Sequence, residues 1–188
     1  MFTEYLNVLH KASPLSIKSR KELLKCISKK EILKGEYVLK HGETCKHIYY
    51  VNKGFVRIFY FKNGKNITEW FANEKQFFFS ISSYFEEIPS NLVIEATEDS
   101  EIILLAKDGL EKLRKSNIEV ANLMISFFSS SLMLSQQRME SLQFETAKNR
   151  YAKLLLEQPE ILNKVPLQFV ASFLGISQET LSRIRAKV

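Results

Sequence analysis

The sequence is poor in the residues that build cysteine-based cofactor sites and in the long apolar runs that cross membranes. Its 188 residues include two cysteines, three histidines, four prolines and six glycines. Two cysteines cannot supply the four thiolates of an iron–sulfur cluster, so Cys26 and Cys45 are expected to be free thiols that pack as small side chains. The apolar runs are short, and no basic segment precedes an apolar stretch near Met1. Neither a signal peptide nor a membrane span is therefore predicted, and we expect a cytoplasmic protein without membrane contact.

The composition is that of a globular protein with a modest basic excess. Hydrophobic residues make up 45% and charged residues 26% of the chain, and the formal net charge is +6. These proportions are sufficient for a sizeable core. The positive charge favours polyanionic partners such as nucleic acids, although a solvated basic face would give the same excess.

The C-terminal segment has the pattern of a helix-turn-helix. Phe169, Val170 and Phe173 recur at helical spacing, as expected for the buried face of a first helix. Gly175 can end that helix with a positive φ, and Ser177 can cap the next one. We therefore predict a DNA-binding motif whose second helix contacts the bases of double-stranded DNA.

The second helix combines an inward apolar face with side chains that suit DNA. Arg183 can give two hydrogen bonds to guanine, Glu179 can accept one from a cytosine amino group, and Gln178 can read adenine. Other side chains are better suited to phosphates, which set the register of the protein on the duplex. The predicted DNA-binding residues are Ser177, Gln178, Glu179, Thr180, Ser182, Arg183, Arg185 and Lys187.

The first part of the chain is predicted to be helical to about Lys30 and then to form many short strands. From Glu31 to Ala106 the sequence alternates aromatic and β-branched runs with turn residues. Asn63-Gly64 is a strong signal for a type I′ hairpin between two of these runs. Many short strands joined by tight turns indicate a sandwich or barrel.

A long helix is predicted from about Ser116 to Thr146, because this stretch contains neither glycine nor proline. Seven of its eight heptad core positions are apolar, with Ser135 as the exception. The stripe could pack on the β-domain, but its length favours a homodimer. The predicted interface residues are Ile118, Ala121, Ile125, Phe128, Leu132, Ser135, Met139 and Leu142. The expected domains are 1–115 (sensor), 116–146 (dimerisation helix) and 147–188 (helix-turn-helix).

The order of these parts resembles the Crp/Fnr family of bacterial transcription regulators. The resemblance is carried by Gly35–Gly42 and Ile48–Gly54 in the roll and by Ser177–Arg183 in the reading helix. It implies an α+β fold: a double-stranded β-helix of the jelly-roll, cyclic-nucleotide-binding-like and cupin-like kind, a long dimer helix, and a winged-helix-like C-terminal domain. It also implies double-stranded DNA with a palindromic operator, a TTGA-type half-site, RNA polymerase as a partner and no enzymatic activity.

In the family resembled, the roll commonly binds cyclic AMP through a Gly-Glu pair and an Arg-Ser or Arg-Thr pair. The corresponding positions here are Phe79 and Ser80 for the first pair and Ser90 and Asn91 for the second. A buried cyclic phosphate needs a cationic partner, so we expect that cyclic AMP does not bind and that the effector, if any, is of another kind. No cofactor is expected. The resemblance adds Ser135 and Gln136 of the long helix as further candidate residues of an effector pocket.

Other interpretations remain open at this point. The run from Gln76 to Phe85 is favoured as core filling over an apolar ligand pocket. A cupin-like metal enzyme would need more histidines than His41 and its neighbours supply, so no metal site and no enzyme is predicted. The alternative function is a small-molecule sensor that acts through protein partners and carries a vestigial DNA-binding domain.

The helix-turn-helix is expected to have a reduced wing. The stretch Asn163–Val165 is too short for a β-hairpin, and five residues follow Arg183. We expect modest DNA affinity, with phosphate contacts from Lys148, Arg150 and Lys153 in place of a wing.

Overall fold

Two antiparallel sheets form a roll in the first part of the chain. The computed structural model describes residues 2–186. Its strands are β1 (Ile27–Ile32), β2 (Tyr37–Leu39), β3 (His47–Lys53), β4 (Val56–Lys62), β5 (Lys65–Ala72), β6 (Phe77–Phe78), β7 (Leu92–Ala96) and β8 (Ser100–Ala106). One sheet has the strand order β1-β8-β3-β6, and the other has the order β2-β7-β4-β5. This arrangement confirms the predicted double-stranded β-helix.

Helices precede the roll, cover it and continue beyond it. They are α1 (Thr3–Ala12), α2 (Ile17–Leu24), α3 (Ile81–Glu86), α4 (Lys107–Arg114), α5 (Ile118–Phe144), α6 (Ala147–Glu157), α7 (Ile161–Lys164), α8 (Leu167–Phe173) and α9 (Gln178–Arg185). The predicted long helix is α5, and the predicted helix-turn-helix is the α8–α9 pair. The described residues after α5 contain no strand.

Positive-φ residues make the tight turns of the roll. Asn63 and Gly64 have φ of 51° and 72°, and they join β4 to β5 as the predicted hairpin. Gly54 has φ of 102°, and a Cβ at this position would lie 2.7 Å from the Cα of Ser100. A side chain therefore has no room where the turn after β3 crosses the start of β8.

The predicted extent of the N-terminal helical segment is wrong. Helix α2 ends at Leu24, and β1 begins at Ile27 instead of the chain staying helical to Lys30. Strand β1 pairs along its whole length with β8, from Ile27 opposite Leu105 to Ile32 opposite Ser100. Its middle residues are exposed. The strand therefore forms because of this long-range pairing and not because of an apolar pattern of its own.

Two apolar clusters hold the chain together. The larger one fills the roll and includes Tyr5 and Leu9 of α1 and Leu123 and Phe127 of α5. The smaller one joins the outer face of the β2-β7-β4-β5 sheet to the C-terminal helices, with Phe55 and Phe71 on the sheet side. On the helical side its buried members are Tyr151, Leu154, Ile161, Val165, Val170, Ala171, Leu174 and Leu181. The helix-turn-helix is therefore packed directly against the roll.

Helix α5 has two parts with different surroundings. Its N-cap is Asn117, whose side chain accepts hydrogen bonds from the backbone of Glu119 and Val120 and donates to Glu22 of α2. Its first half contributes Leu123 and Phe127 to the core of the roll, whereas most of its second half is exposed. By length and composition alone, α5 is also apolar enough to cross a membrane.

Candidate functional site

The turn between α8 and α9 has the geometry of a helix-turn-helix. Gly175 has φ of 68°, and the backbone N–H of Ile176 donates to the carbonyl of Ala171 across the end of α8. This is the usual way for a glycine to end a helix. Ser177 then caps α9 by accepting a hydrogen bond of 3.2 Å from the backbone N–H of Thr180. Hydrogen bonds between residues close in sequence, together with the positive φ of Gly175, therefore set the angle between the two helices.

Helix α9 turns one face toward the protein and the other toward solvent. Leu181 is fully buried and Ile184 is half-buried, as the sequence pattern predicted. The exposed residues of the helix are Gln178, Glu179, Ser182, Arg183 and Arg185, while Thr180 is half-buried and the capping Ser177 is exposed. Lys187, also predicted to bind DNA, lies outside the described residues. The structure thus brings the other predicted DNA-binding residues together on and beside one solvent-facing helix.

Glu179 is held in its ionised form at the start of α9. A hydrogen bond with the Ser177 side chain lowers the pKa of Glu179, and the positive charges of Arg183 and Lys65 lower it further. Lys65 belongs to β5 of the roll, so the β4–β5 hairpin carries a positive charge within electrostatic reach of the first turn of α9. An ionised carboxylate can accept hydrogen bonds but cannot donate one.

Hydrogen bonds attach α8 to strand β5. The backbone N–H of Thr68 donates to the Ser172 hydroxyl at 2.9 Å, and that hydroxyl lies 3.4 Å from the carbonyl oxygen of Asn66. On a neighbouring part of the interface, Lys164 forms a 2.8 Å ion pair with Glu98. The position of the helix-turn-helix on the roll is therefore specified by polar contacts as well as by the apolar cluster.

A fully buried arginine, Arg57, lies under α8 on the outer face of the sheet. Its guanidinium carbon is 4.2 Å from the ring centre of Phe59 and 3.5 Å from that of Phe169. Its Nε donates to the Thr68 hydroxyl at 2.9 Å, but its two terminal nitrogens have no hydrogen-bond partner. Burial lowers the pKa of Arg57 to about 10, partly opposed by Glu95 at 3.8 Å. Sequence reasoning missed this residue, although an arginine inside an apolar strand was a usable signal.

A large cavity lies between the roll and the second half of α5. Its volume is about 960 Å³. The predicted pocket residues that line it are Phe79, Ser80, Ser90, Asn91 and Ser135. Gln136 does not line it, because its side chain points away and donates to Glu140 on the exposed side of α5 at 3.0 Å. The run from Gln76 to Phe85, favoured in the sequence as core filling, contributes Phe77 to Ser83 to the cavity wall.

The cavity floor is neutral. The Ser90 hydroxyl donates to the Ser80 hydroxyl at 2.9 Å and accepts from the backbone N–H of Leu92 at 3.0 Å, so both serines are satisfied within the protein. Aromatic side chains form much of the wall, and Phe79 packs edge-on against Tyr84. Among the described lining residues, the basic side chains are those of Arg138 and His41.

Arg138 connects the cavity to the helix-turn-helix. Its guanidinium lies 3.9 Å from the ring centre of Phe173 and donates to the Phe173 carbonyl oxygen. Burial lowers the pKa of Arg138 to about 10, and the charge of Arg150 adds to this effect. Trp70, another cavity residue, packs edge-on against Phe173 with 6.3 Å between ring centres. Two side chains of the cavity wall therefore contact the same residue of α8.

The predicted dimer positions form an apolar stripe that this single chain leaves largely uncovered. The exposed fractions of Ile118, Ile125 and Leu132 are 73%, 62% and 71%. Met139, Leu142 and Ser135 are also exposed, whereas Ala121 and Phe128 are half-buried. Leu142 also lies beside the turn between α8 and α9. A Cβ atom added at Gly175 of this turn would be 3.3 Å from the Leu142 Cδ2 atom.

One of the basic residues suggested for phosphate contacts has a structural role instead. Arg150 donates two hydrogen bonds to the carbonyl of Leu174, at 3.1 and 2.8 Å, and so ties α6 to the turn before α9. Lys148 and Lys153 are exposed. Because its guanidinium is committed to backbone carbonyls, Arg150 is not free to bind phosphate, and the predicted phosphate contact at this residue is wrong.

No cluster of three side chains able to ligate a metal occurs within residues 2–186. Cys26 is half-buried and Cys45 is buried, and both are free thiols.

The chain is similar in sequence to a domain family and to a bacterial regulator. Residues 29–117 match the cyclic nucleotide-binding domain family. The HTH-type transcriptional regulator ArcR of Staphylococcus epidermidis is 26% identical over 162 residues, which cover 80% of this chain and 71% of ArcR.

Solved structures share the fold of the chain. FixK2 from Bradyrhizobium japonicum superposes with a TM-score of 0.74 at 22% identity, covering 86% of this chain and 83% of FixK2. A protein from Eubacterium rectale, described as a transcriptional regulator of the Crp/Fnr family, gives a TM-score of 0.71 at 19% identity and covers 90% of this chain and 82% of its own. At these identities the likeness concerns the fold.

Proposed function

We propose that the chain is a sequence-specific DNA-binding transcription regulator of the Crp/Fnr family, a proposal supported by its match to the cyclic nucleotide-binding domain family and its similarity to ArcR. The observation that carries this proposal is the exposed face of α9. Its side chains Glu179, Ser182 and Arg183 extend into solvent from a capped helix whose opposite face is fixed by Leu181. Such a helix can enter the major groove and contact base edges.

Within this proposal, the residues on and beside the solvent-facing side of α9 divide into base readers and phosphate binders. Arg183 donates two hydrogen bonds to a guanine, and the ionised Glu179 accepts one from a cytosine amino group. Ser177, Thr180 and Arg185 contact phosphates and set the register. Each good base contact contributes about 1–3 kcal/mol of discrimination against a wrong base pair.

We further propose that the protein acts as a homodimer through α5. A stripe with Ile125 and Leu132 more than half exposed is costly in water and is suited to a second copy of the same helix. A membrane is a poorer match, because Leu123 and Phe127 on the same helix are buried in the core of the roll. A two-fold dimer presents two α9 helices, which matches a palindromic operator. With DNA as its target, the protein acts in the cytoplasm, and RNA polymerase is the expected partner.

We propose that the cavity is an effector site for a ligand other than a cyclic nucleotide. A cyclic phosphate at the floor would face Ser80 and Ser90, which carry no charge and already satisfy each other. The remaining cation, Arg138, is engaged with Phe173. The aromatic wall instead suits an uncharged, largely apolar small molecule.

Selection of bound duplexes from random DNA tests the proposed function. We expect the parent protein to enrich a palindromic sequence. Arg183→Ala should then lose the preference at one base pair of each half-site, because its guanine contact is gone, whereas Arg185→Ala should weaken binding to all sequences equally. Failure of the parent to enrich any sequence would overturn the proposal. Unchanged discrimination by Arg183→Ala would overturn the assigned base reading.

A further inference from the structure

The β4–β5 hairpin of the roll lies beside the helix-turn-helix in a fixed position. Its second strand is attached to α8 through the Ser172 hydroxyl, which accepts from Thr68 at 2.9 Å and lies 3.4 Å from the Asn66 carbonyl oxygen. Ser172 is near the end of α8, two residues before the turn that leads to α9. The hairpin is therefore held next to the start of the reading helix.

The tip of this hairpin carries two lysines directly opposite each other. Lys62 and Lys65 are cross-strand partners on either side of the Asn63-Gly64 turn, and both are exposed. Like charges in this position destabilise a hairpin. Neither lysine forms an ion pair with a carboxylate of the described residues. The arrangement is unfavourable in the protein alone and would be relieved by an anionic partner.

The positive charge of Lys65 at the hairpin tip acts on Glu179 of α9. Lys65 is among the groups that lower the pKa of Glu179, after the Ser177 hydrogen bond and the charge of Arg183. Glu179 lies in the first turn of α9, on its solvent-facing side. Lys65 at the hairpin tip therefore lies within electrostatic reach of the exposed face of α9.

We propose that the β4–β5 hairpin is part of the DNA interface and that Lys62 and Lys65 bind backbone phosphates beside the half-site read by α9. This inference rests on the proposed function, since it assigns a second element to the same DNA complex. Lysine at a hairpin tip supplies point charges for phosphates without reading sequence. The sensor roll therefore contributes directly to DNA affinity, and the helix-turn-helix alone sets the sequence preference.

The test is a salt titration of the full-length protein on its selected duplex, measured by fluorescence anisotropy. The variant is Lys62→Gln/Lys65→Gln. In the proposed homodimer the two hairpins together lose four phosphate contacts, so the slope of log K against log salt should fall by about 3.6, since each contact contributes about 0.9. At about 0.1 M salt this corresponds to roughly a thousandfold or greater loss of affinity. The preferred sequence should not change, and Lys62→Arg/Lys65→Arg should keep most of the parent's slope.

The matched control is Lys18→Gln/Lys21→Gln, which removes the same charge from exposed positions on α2. Helix α2 contacts Asn117 at the start of α5, whereas the helix-turn-helix contacts Arg138 near the other end. At about 1.5 Å per residue these ends of α5 are roughly 30 Å apart. The control should therefore keep the parent's slope.

The outcomes separate this inference from the proposed function. Equal slopes for the hairpin variant and the parent, or equal losses in the hairpin variant and the α2 control, would overturn the hairpin assignment while selective DNA binding stands. A parent protein that selects no sequence would instead overturn the proposed function. Thermal melting of the hairpin variant should be unchanged or higher, because a pair of facing like charges has been removed.

Discussion

The guanidinium of Arg138 lies 3.9 Å from the ring centre of Phe173, which joins the cavity wall to the first helix of the helix-turn-helix. Phe173 also packs against Phe71 and Trp70 of β5, with ring centres 5.3 and 6.3 Å away. One side chain of α8 is therefore surrounded by residues of the roll and of α5. A ligand that moves Trp70 or Arg138 would therefore act directly on α8, because both side chains contact Phe173.

Replacing Phe173 by alanine should loosen the helix-turn-helix from the roll. Trp70 is the single tryptophan of the chain and packs on Phe173, so its emission should shift to longer wavelength as water reaches the indole. Phe173 is half-buried, and we expect a stability loss of about 1–3 kcal/mol, less than for a fully buried phenylalanine. Phe169→Ala is the control, because Phe169 packs on Arg57. Identical emission shifts in both variants would contradict this account.

Arg57 should contribute to stability through its packing and not through its charge. Its two terminal nitrogens are buried without hydrogen bonds, so exchanging the guanidinium for an apolar group removes a desolvation cost. We expect Arg57→Met to unfold in urea within about 1 kcal/mol of the parent. Arg57→Ala leaves a cavity between Phe59 and Phe169 and should lose about 2 kcal/mol or more. A methionine variant as unstable as the alanine variant would show that the charge is essential.

A single charge in the exposed stripe of α5 should prevent dimer formation. Leu132 is 71% exposed in the single chain, and Leu132→Glu would bury a carboxylate at the centre of the proposed seam. Sedimentation equilibrium should then report a monomer. Gln137→Glu introduces the same charge on an exposed position of α5 away from the seam and should remain dimeric. A parent that sediments as a monomer at all accessible concentrations would refute the proposed homodimer.

The cavity should bind apolar probes and ignore cyclic AMP. Because Ser80 and Ser90 offer no positive charge, millimolar cyclic AMP should leave the emission of Trp70 unchanged. The neutral dye N-phenyl-naphthylamine should bind with increased dye fluorescence. Ser131→Phe narrows the cavity and should weaken dye binding, whereas Ser130→Phe, on the exposed side of α5, should not. Saturable quenching of Trp70 by cyclic AMP would contradict the neutral-floor argument.

Local chemistry made the C-terminal helices and the hairpin predictable. Gly175 and Ser177 fix a turn and a cap within a few residues, and Asn63-Gly64 fixes a hairpin in the same way. Strand β1 was not predictable from its residues, because it depends on pairing with β8, which lies far away in the sequence, as in Ile27 opposite Leu105. Local signals describe an element well only when local interactions determine it.

The α5 residues that line the cavity also could be predicted only in part from the sequence. Ser131, Ser135, Arg138 and Leu142 line the cavity at spacings of three and four, as one face of a helix requires. Gln136 follows Ser135 in sequence but lies about 100° around the helix, so it points elsewhere. The packing of α8 on Arg57 could likewise not be predicted from the sequence, because it joins residues that are more than 100 positions apart.

Leu142 of α5 lies beside the turn at Gly175, so α5 links the proposed dimer seam to the helix-turn-helix. Leu142 belongs both to the proposed seam and to the surroundings of this turn, so the register of the paired α5 helices would set the distance and the relative phase of the two α9 helices. Each residue inserted between Leu132 and Leu142 would advance that turn by about 1.5 Å and rotate it by about 100°. In the proposed homodimer, the spacing of the operator half-sites would therefore depend on the length of a helix that need not touch DNA.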